Sequence, residues 1–271
     1  MGASILSVLH LLRLDGRVAI VTGGAGHLGF AMGSALAEVG AQVVLVDIDL
    51  ERVTAAAEQV AADTGVRACG IACDLADENA VRRLPERVVA DFGRLDILIN
   101  NAAFVGTSGL DGWAEPFERQ TSASWRLAME VNLTAVFSLV QASTPFLRKS
   151  GCGSIVNIGS IYGFLGPDWS LYGGTKMANP AAYAASKGGL IQLTRWLATT
   201  LGPDIRVNCV SPGGVARGQP ESFTEQYVAR TPLGRMATEE DFKGAAVYLA
   251  GDLSRYVTGQ HLVVDGGWSV W

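Results

Sequence analysis

The sequence predicts an α/β protein in which helices cover both faces of one parallel sheet. Short β-branched runs alternate with stretches of helical apolar spacing along the whole chain. The runs are continuously apolar, which is typical of strands that are buried on both faces. The chain has 271 residues, 49% of them hydrophobic, and is therefore long enough to bury the core of one domain.

The order of elements predicts a doubly wound, seven-stranded parallel sheet. The predicted strands are 17–22, 42–47, 67–72, 95–100, 154–159, 205–210 and 261–266. The predicted helices lie near 28–39, 50–63, 77–91, 124–149, 180–201 and 239–250. A sheet of this kind binds ligands beyond the carboxyl ends of its strands. We therefore predict a single domain over residues 14–271, preceded by an extension, residues 1–13, that packs on the surface.

The first strand ends in a glycine-rich turn that runs from Thr22 to Gly29. Between a strand and a helix, such a turn lets backbone amides approach a pyrophosphate, and the helix N-terminus adds a favourable potential. A glycine-rich turn alone is weak evidence, but its position in a strand–turn–helix unit strengthens it. The turn indicates a dinucleotide site.

Acidic residues follow the second and third strands. A carboxylate at Asp47 can accept hydrogen bonds from both hydroxyls of an adenosine ribose and would repel a 2′-phosphate, which favours NAD(H) over NADP(H). No arginine or lysine immediately follows it. The alternative is that Asp47 caps the next helix. Asp74 is placed to meet the adenine edge, although an N-cap role near Asp77 explains it equally well.

A Tyr-x-x-x-Lys spacing occurs twice, as Tyr172 with Lys176 and as Tyr183 with Lys187. Residues four apart are neighbours only in a helix, where the lysine can act as the activating cation of a proton-donating tyrosine. Gly173 and Gly174 disfavour a helix after Tyr172. We therefore predict that the second pair is the functional one. Tyr172 is then a loop residue that lines a pocket or has no special role.

The helix that carries the second pair has recognisable ends. Asn179 and Pro180 have the character of an N-cap and a first helical position. Apolar residues follow at helical spacing from Ala181, and Gly202-Pro203 predicts the end.

Bulk composition narrows the function classes. The formal net charge is −5 without a block of basic residues, which disfavours nucleic acid as a partner. The four cysteines form no CxxC pair and indicate buried, reduced thiols, so we expect a cytoplasmic protein. Three scattered histidines give little support for a metal site. The apolar N-terminus is too short to span a bilayer and lacks the pattern of a signal peptide.

Two long connections, about 160–180 and 211–232, are candidates for pocket walls. The second has the composition of a lid that carries a short mobile helix.

With these motifs in order, the chain resembles the single-domain short-chain dehydrogenases/reductases from about Leu14 to Gly267. The motifs that carry the resemblance are the glycine-rich turn, Asp74, Asn100-Asn101-Ala102, Asn132, Ser160, Tyr183 with Lys187, Asn208, Pro212-Gly213 and Val264-Asp265-Gly266-Gly267. The resemblance implies a Rossmann fold with strand order 3-2-1-4-5-6-7.

The resemblance also implies roles for four residues. Tyr183 would be the general acid/base that acts on the substrate oxygen, and Lys187 would lower its pKa and hold the nicotinamide ribose. Ser160 would bind the substrate carbonyl or hydroxyl. Asn132 would hold a water that links Lys187 to solvent. Without the resemblance, Ser160 could simply end a strand and Asn132 could bond its own helix backbone.

The resemblance further predicts which residues touch cofactor and substrate. The cofactor residues would be Gly23, Gly26, His27, Leu28, Gly29, Asp47, Ile48, Asp74, Leu75, Asn101, Ala102, Ala103, Tyr183, Lys187, Pro212, Gly213 and Val215. The substrate residues would be Ser160, Tyr172 and Arg217.

The chain departs from the family pattern at four places. His27 stands where the middle glycine of the turn is expected, with Gly26 one place early, and Ala103 replaces a glycine. Ser160 lies 23 residues before Tyr183 but 12 before Tyr172, where the family has about a dozen, so we predict an insertion near 167–180. Arg217 replaces a threonine and could face an anionic or highly hydroxylated substrate.

These observations predict an NAD-dependent alcohol dehydrogenase or ketone reductase. The aromatic and hydrogen-bonding residues of the two long connections suit a sugar, sugar acid or polyol, which is an argument by analogy. Steroids and 3-ketoacyl thioesters are the alternative substrates, and a non-catalytic dinucleotide sensor is the alternative class. The resemblance and the apolar tail from Trp268 to Trp271 predict a homotetramer, with a homodimer as the alternative.

Overall fold

The computed structural model describes residues 7–106, 108–175 and 177–271. In this part of the chain seven strands form one parallel sheet in the order β3-β2-β1-β4-β5-β6-β7. The strands are β1 (Val18–Thr22), β2 (Gln42–Asp47), β3 (Ala68–Ala72), β4 (Ile97–Asn100), β5 (Gly153–Ile158), β6 (Ile205–Pro212) and β7 (His261–Val264). The predicted fold class and strand order are confirmed.

Helices connect the strands. They are α1 (Val8–Leu12), α2 (His27–Glu38), α3 (Leu50–Thr64), α4 (Glu78–Phe92), α5 (Ser122–Met129), α6 (Ala135–Ser150), α7 (Ala181–Leu201), α8 (Glu221–Ala229) and α9 (Lys243–Ala250). The predicted extension therefore includes a short helix, α1, and its first six residues lie outside the described part. No helix in the described ranges has the length and apolar character of a membrane span.

Alternate residues of the central strand serve the two faces of the sheet. Ala19 and Val21 of β1 belong to a core shared with α2, α3 and α9. Val18 and Ile20 belong to a second core shared with α4, α6 and α7. All four side chains are fully buried, which explains why the strands are apolar without alternation.

The strand order reverses beside β1, which pairs with both β2 and β4. The connections that leave β1 and β4 consequently run to opposite faces of the sheet. A crevice opens between them at the carboxyl edge, which is the position where doubly wound sheets bind ligands.

The helix predicted over 124–149 is interrupted. A π-helical turn, Glu130–Thr134, joins α5 to α6 and contains the buried Asn132. Such turns insert one residue into an otherwise α-helical ladder and occur often at functional sites.

The predicted N-cap of α7 is wrong. Pro180 occupies the capping position, the helix begins at Ala181, and the Asn179 amide makes no capping bond. Gln120 supplies the cap instead, because its Oε1 accepts a hydrogen bond of 3.0 Å from the Ala181 N–H. A residue so distant in sequence leaves no local signal. The predicted end at Gly202-Pro203 is confirmed.

The four cysteines are free thiols. Cys73 and Cys209 are buried as predicted, whereas Cys69 and Cys152 are only partly buried, which corrects the expectation for those two.

Candidate active site

A cleft of about 550 Å³ opens at the carboxyl edge of the sheet. It brings together Ser160, Tyr183, Lys187 and Arg217 with the predicted cofactor residues other than Gly29. Asn132 and Tyr172, also predicted for the site, do not line it. One concave surface therefore holds both the dinucleotide motif and the Tyr–Lys pair.

At Gly23 and Gly29 the glycine-rich turn has no room for a side chain. Gly23 adopts a φ of 66°, and a Cβ there would lie 2.7 Å from the Asn101 Nδ2. A Cβ on Gly29 would lie 2.1 Å from the Gly23 carbonyl oxygen, so Gly29 packs behind the turn and not in the cleft. The Asn101 Nδ2 donates to the carbonyls of Thr22 and Gly23 at 2.9 and 3.2 Å, which fixes the turn. This tight cradle fits a pyrophosphate.

The side chain of His27 does not fill the glycine-rich turn. It is the first residue of α2, after Gly26 at the N-cap, and its side chain is exposed at the rim of the cleft. Its Nδ1 lies 3.3 Å from the Glu239 Oε1. The same oxygen pairs with the Arg217 Nη1 at 2.6 Å. Arg217, predicted to meet substrate, is thus held by Glu239 on the same side as the turn.

Asp47 faces the turn from the end of β2. Its Oδ2 accepts from the Ala25 N–H at 3.1 Å, and its Oδ1 accepts from the Ile48 N–H at 2.9 Å. Asp49 is the N-cap of α3, so the capping alternative for Asp47 is wrong.

Arg52, which is not among the residues predicted from the sequence, also lines this end of the cleft. Its Nη2 donates to the Ala25 carbonyl at 3.2 Å. The available signal was its place in the first turn of α3, five residues after Asp47.

Asp77, and not Asp74, caps α4, because its Oδ1 accepts from the Asn79 and Ala80 N–H groups. Asp74 lines the cleft and accepts from the Ala76 N–H at 2.9 Å. The structure therefore leaves Asp74 available to a ligand rather than committed to the helix end.

Tyr183 lies in the first turn of α7 and packs against a small core that includes the buried Trp113. Burial raises the pKa of the Tyr183 phenol, and a hydrogen bond with Ser160 acts in the opposite direction. Ser160 follows the end of β5 and its Oγ accepts from the Tyr162 N–H at 3.2 Å. The two hydroxyl groups are therefore neighbours in the cleft.

Lys187 lies one helical turn after Tyr183 and is buried. Its Nζ lies 5.9 Å from the centre of the Tyr183 ring and donates to the Ile158 carbonyl at 2.6 Å. Burial lowers the pKa of the ammonium to about 8. A cation is thus fixed beside the phenol at neutral pH.

Asn132 stands behind the cleft. Its Oδ1 accepts from the Phe104 N–H at 2.8 Å, and its Nδ2 donates to the Phe104 carbonyl and to the Ser186 Oγ at 3.2 and 3.1 Å. The alternative that it bonds its own helix backbone is wrong. It ties the connection after β4 to the residue that precedes Lys187.

Tyr172 lies in a 3-10 turn, Trp169–Tyr172, outside the cleft. Its hydroxyl is 2.5 Å from the Tyr162 hydroxyl, and its ring contacts the Phe223 ring of α8 at 5.5 Å between centres. The predicted helix in the lid is confirmed as α8. Lys176, the partner of Tyr172 in the first Tyr-x-x-x-Lys spacing, lies outside the described residues.

An apolar part of the cleft wall, which was not predicted from the sequence, consists of Phe104, Val105 and Val131. The apolar pair directly after Asn100-Asn101-Ala102-Ala103 was the available signal. Among the described residues, no cluster of three or more His, Cys, Asp or Glu side chains is arranged to hold a metal ion.

Comparison with known proteins gives consistent results. The model of a protein family described as Enoyl-(Acyl carrier protein) reductase matches residues 23–269. The cis-4-hydroxycyclohexanecarboxylate dehydrogenase of Sinomonas cyclohexanicum is 36% identical over 261 residues, covering 93% of this chain and 96% of the relative. The probable galactose dehydrogenase of Rhizobium meliloti is 37% identical over 261 residues, covering 94% and 95%. The 3-oxoacyl-[acyl-carrier-protein] reductase of Thermotoga maritima is 33% identical over 261 residues, covering 94% and 99%.

Solved structures agree over nearly the whole chain. An NAD⁺-bound xylitol dehydrogenase superposes with a TM-score of 0.83 at 31% identity, covering 93% of this chain and 99% of that one. A gluconate 5-dehydrogenase from Burkholderia cenocepacia in complex with NADP and tartrate gives a TM-score of 0.86 at 30% identity, covering 98% and 100%.

Proposed function

Since the chain belongs to the short-chain dehydrogenase/reductase family of oxidoreductases, we propose that it is an NAD(H)-dependent enzyme that interconverts a secondary alcohol and a ketone. The observation that carries the proposal is the convergence of Ser160, Tyr183 and Lys187 on the cleft that contains the glycine-rich turn. The nicotinamide would supply the hydride chemistry, and the protein orients the substrate and manages its proton.

In alcohol oxidation, the Tyr183 oxygen takes the proton from the substrate hydroxyl, and in ketone reduction it returns that proton to the carbonyl oxygen. The Ser160 Oγ hydrogen-bonds the same substrate oxygen. A free phenol has a pKa of about 10, so only about one in a thousand is ionised at neutral pH. Burial opposes the phenolate, and the Ser160 hydroxyl offsets part of that effect. We propose that the Lys187 ammonium favours the phenolate further.

Asn132 acts by holding α7, the helix that carries Tyr183 and Lys187. Its bond to Ser186 and its two bonds to Phe104 hold α7 against the connection after β4. We propose that it also holds the water that links Lys187 to solvent, so that the proton leaves the buried site by a relay.

NAD(H) is the proposed cofactor because the Asp47 carboxylate stands where the adenosine ribose would bind. The glycine-rich turn would hold the pyrophosphate, and Lys187 would hold the nicotinamide ribose. Arg52 at the same end is the observation that favours NADP(H), since an arginine there can accommodate a 2′-phosphate. Both cofactors are named among the structural neighbours.

A sugar, sugar acid or polyol is the proposed substrate class. Support comes from relatives named as dehydrogenases of galactose and D-threitol, and from the aromatic and polar residues beside the site. The 3-oxoacyl reductase relative supports the thioester alternative. A steroid substrate and a non-catalytic sensor remain alternatives that the same experiment distinguishes.

The proposal is tested with a panel of sugars, polyols, sugar acids, steroids and 3-ketoacyl thioesters. Turnover of each compound is monitored by NADH absorbance, with NAD and NADP in parallel. We expect oxidation of at least one hydroxylated compound with NAD. Tyr183→Phe should lower kcat/KM by about 10²–10⁴-fold, the usual contribution of a general acid/base. The matched control is Tyr256→Phe, at a fully exposed tyrosine, which should retain full activity.

Full turnover in Tyr183→Phe together with its loss in Tyr172→Phe would overturn the catalytic assignment. Dinucleotide binding without turnover of any compound in the panel would favour the sensor alternative.

A further inference from the structure

Two arginines approach the turn that would hold the pyrophosphate. One is Arg52, whose Nη2 donates to the Ala25 carbonyl at 3.2 Å. The second, Arg217, reaches the turn through a shared carboxylate. The Glu239 Oε1 lies 2.6 Å from the Arg217 Nη1 and 3.3 Å from the Nδ1 of His27, the first residue of α2. The Arg217 guanidinium therefore lies beside the N-terminus of α2.

The backbone on which this contact rests is fixed. The Ala216 N–H donates to the Ala237 carbonyl at 2.8 Å, so the residues just before Arg217 and Glu239 are bonded to each other. The Gln219 Oε1 accepts from the Arg217 N–H at 2.7 Å and closes the loop that follows. Because the arginine starts from a fixed backbone, ordering it on a ligand costs less free energy.

Arg217 keeps hydrogen-bond donors for a ligand. Its Nη1 bonds the Ala216 carbonyl at 2.8 Å and Glu239, whereas its Nε and Nη2 have no hydrogen-bond partner within the described ranges. The side chain is 29% exposed and lines the cleft, so a ligand there can reach it. The edge of a guanidinium matches two oxygens of a phosphate.

Glu239 is committed to this cluster. The two acidic residues near it in sequence have cations of their own, since Asp241 pairs with Arg235 at 2.6 Å and Glu240 with Lys243 at 3.0 Å. The Glu239 carboxylate orients the guanidinium by holding its Nη1. The negative charge of the same carboxylate also opposes the approach of a phosphate.

We propose that Arg217 is a pyrophosphate ligand of the dinucleotide and not a substrate residue. Its Nε and Nη2 bind phosphate oxygens while Glu239 holds Nη1, and its full charge adds to the favourable potential of the α2 N-terminus. This role rests on the proposed function and specifies a cofactor contact. It applies to NAD and NADP alike, because both contain the pyrophosphate.

Ligand-observed NMR on the full chain tests this role with two probes, ADP-ribose, which contains the pyrophosphate, and adenosine, which has no phosphate. Arg217→Gln should raise the Kd for ADP-ribose by at least about tenfold, the scale of a lost hydrogen bond between charged groups. The Kd for adenosine should not change. The matched control is Arg255→Gln, which loses the same charge at an exposed position before β7, on the opposite edge of the sheet, and should leave both Kd values unchanged.

Glu239→Gln separates phosphate binding from a merely structural role. The variant keeps an acceptor oxygen for Nη1 and removes the charge that opposes the phosphates. We expect its Kd for ADP-ribose to fall by about two- to fivefold at low ionic strength, the scale of a partly exposed charge pair, and the gain to shrink as salt is added. If Arg217 only anchored its loop to Glu239, both variants would raise the Kd.

The role is overturned when Arg217→Gln binds ADP-ribose as native protein does, when it weakens adenosine binding equally, or when Glu239→Gln raises the Kd. If Arg217→Gln does not fold, the direction of the Glu239→Gln effect decides. Arg217-dependent binding of ADP-ribose without oxidation of any alcohol would refute the proposed function and leave the role standing. Alcohol oxidation in which Arg217→Gln raises the KM of the alcohol but not the Kd of ADP-ribose would return Arg217 to the substrate and refute the role alone.

Discussion

At the scale of residues, Tyr183 and Lys187 lie one helical turn apart on α7, with the Lys187 Nζ 5.9 Å from the centre of the Tyr183 ring. The two Tyr-x-x-x-Lys spacings could be distinguished because Gly173 and Gly174 disfavour a helix and Gly202 marks a helix end. The structure places Tyr183 and Lys187 on α7 beside Ser160. Arg52 was harder to predict. Its position five residues after Asp47 was the local signal, but its hydrogen bond to the Ala25 carbonyl depends on how α3 packs against the glycine-rich turn.

Asp47→Ala should change the cofactor preference. Removing the carboxylate deletes the ribose acceptor and the repulsion of a 2′-phosphate, while Arg52 stays in place. We expect kcat/KM with NAD to fall by at least about tenfold, the worth of roughly 1.4 kcal/mol, and kcat/KM with NADP to rise. Initial rates with both cofactors measure the change.

The matched control for Asp47→Ala is Asp49→Ala. It removes the N-cap of α3 and should cost about 1 kcal/mol of stability without altering cofactor preference. A native enzyme that already works better with NADP would contradict the role assigned to Asp47.

Ketone reduction should slow as the pH rises through about 8. Reduction needs a protonated Tyr183, whose pKa burial raises, and a charged Lys187, whose pKa burial lowers to about 8. The ammonium is present below that pH and is lost above it, so the rate falls on the alkaline side. The pH profile of kcat/KM at saturating NADH measures this.

Lys187→Arg is the comparison for the pH profile. A guanidinium stays charged across this range, so the variant, although slower, should show a level profile where the native enzyme declines. An identical decline in both proteins would assign the titration to another group.

At the scale of elements, the turn Trp169–Tyr172 and α8 form one unit. Tyr172 contacts Phe223, Phe223 stacks on Tyr227, and Arg230 pairs with Asp168. The sequence predicted the helix in the lid but not this contact between the two connections, because aromatic side chains in separate loops show no periodicity. Whether residues 167–180 are an insertion stays a prediction.

Phe223→Ala should loosen both connections together. Phe223 is buried between the two rings, so its truncation should lower the free energy of unfolding by about 3 kcal/mol. Hydrogen exchange should accelerate in α8 and in the turn Trp169–Tyr172. The exposed Phe117→Ala is the control, with a change of at most about 0.5 kcal/mol. Faster exchange in α8 alone would show that the two connections are independent.

At the scale of the whole molecule, the sheet order followed from the sequence because buried parallel strands and the family motifs agree on one topology. The number of chains in the assembly did not follow from the sequence in the same way. Exposed apolar side chains lie on α5, α6 and α7, among them Trp125, Phe137 and Trp196. Scattered exposed apolar residues are common on monomers, so only their grouping on neighbouring helices supports an interface.

We expect a homotetramer of 28.5 kDa chains in solution. Light scattering measures the mass directly. Trp196→Glu, at a residue that is 56% exposed, should dissociate the assembly because a charge would be buried in an apolar contact. Glu86→Gln, on the exposed surface of α4, should leave the mass unchanged. A monomer of native protein would refute the expectation.

The hydrogen bond from the Ala181 N–H to Gln120 has a consequence for protein engineering. The first turn of the helix that carries Tyr183 is completed by a residue 61 positions earlier in the chain. A chimera in which the loop 114–120 is exchanged to alter substrate range would therefore also lose the hydrogen bond that caps the helix carrying Tyr183. Grafts that keep a glutamine at position 120 should retain that helix end, and those that do not would need a new capping residue before Ala181.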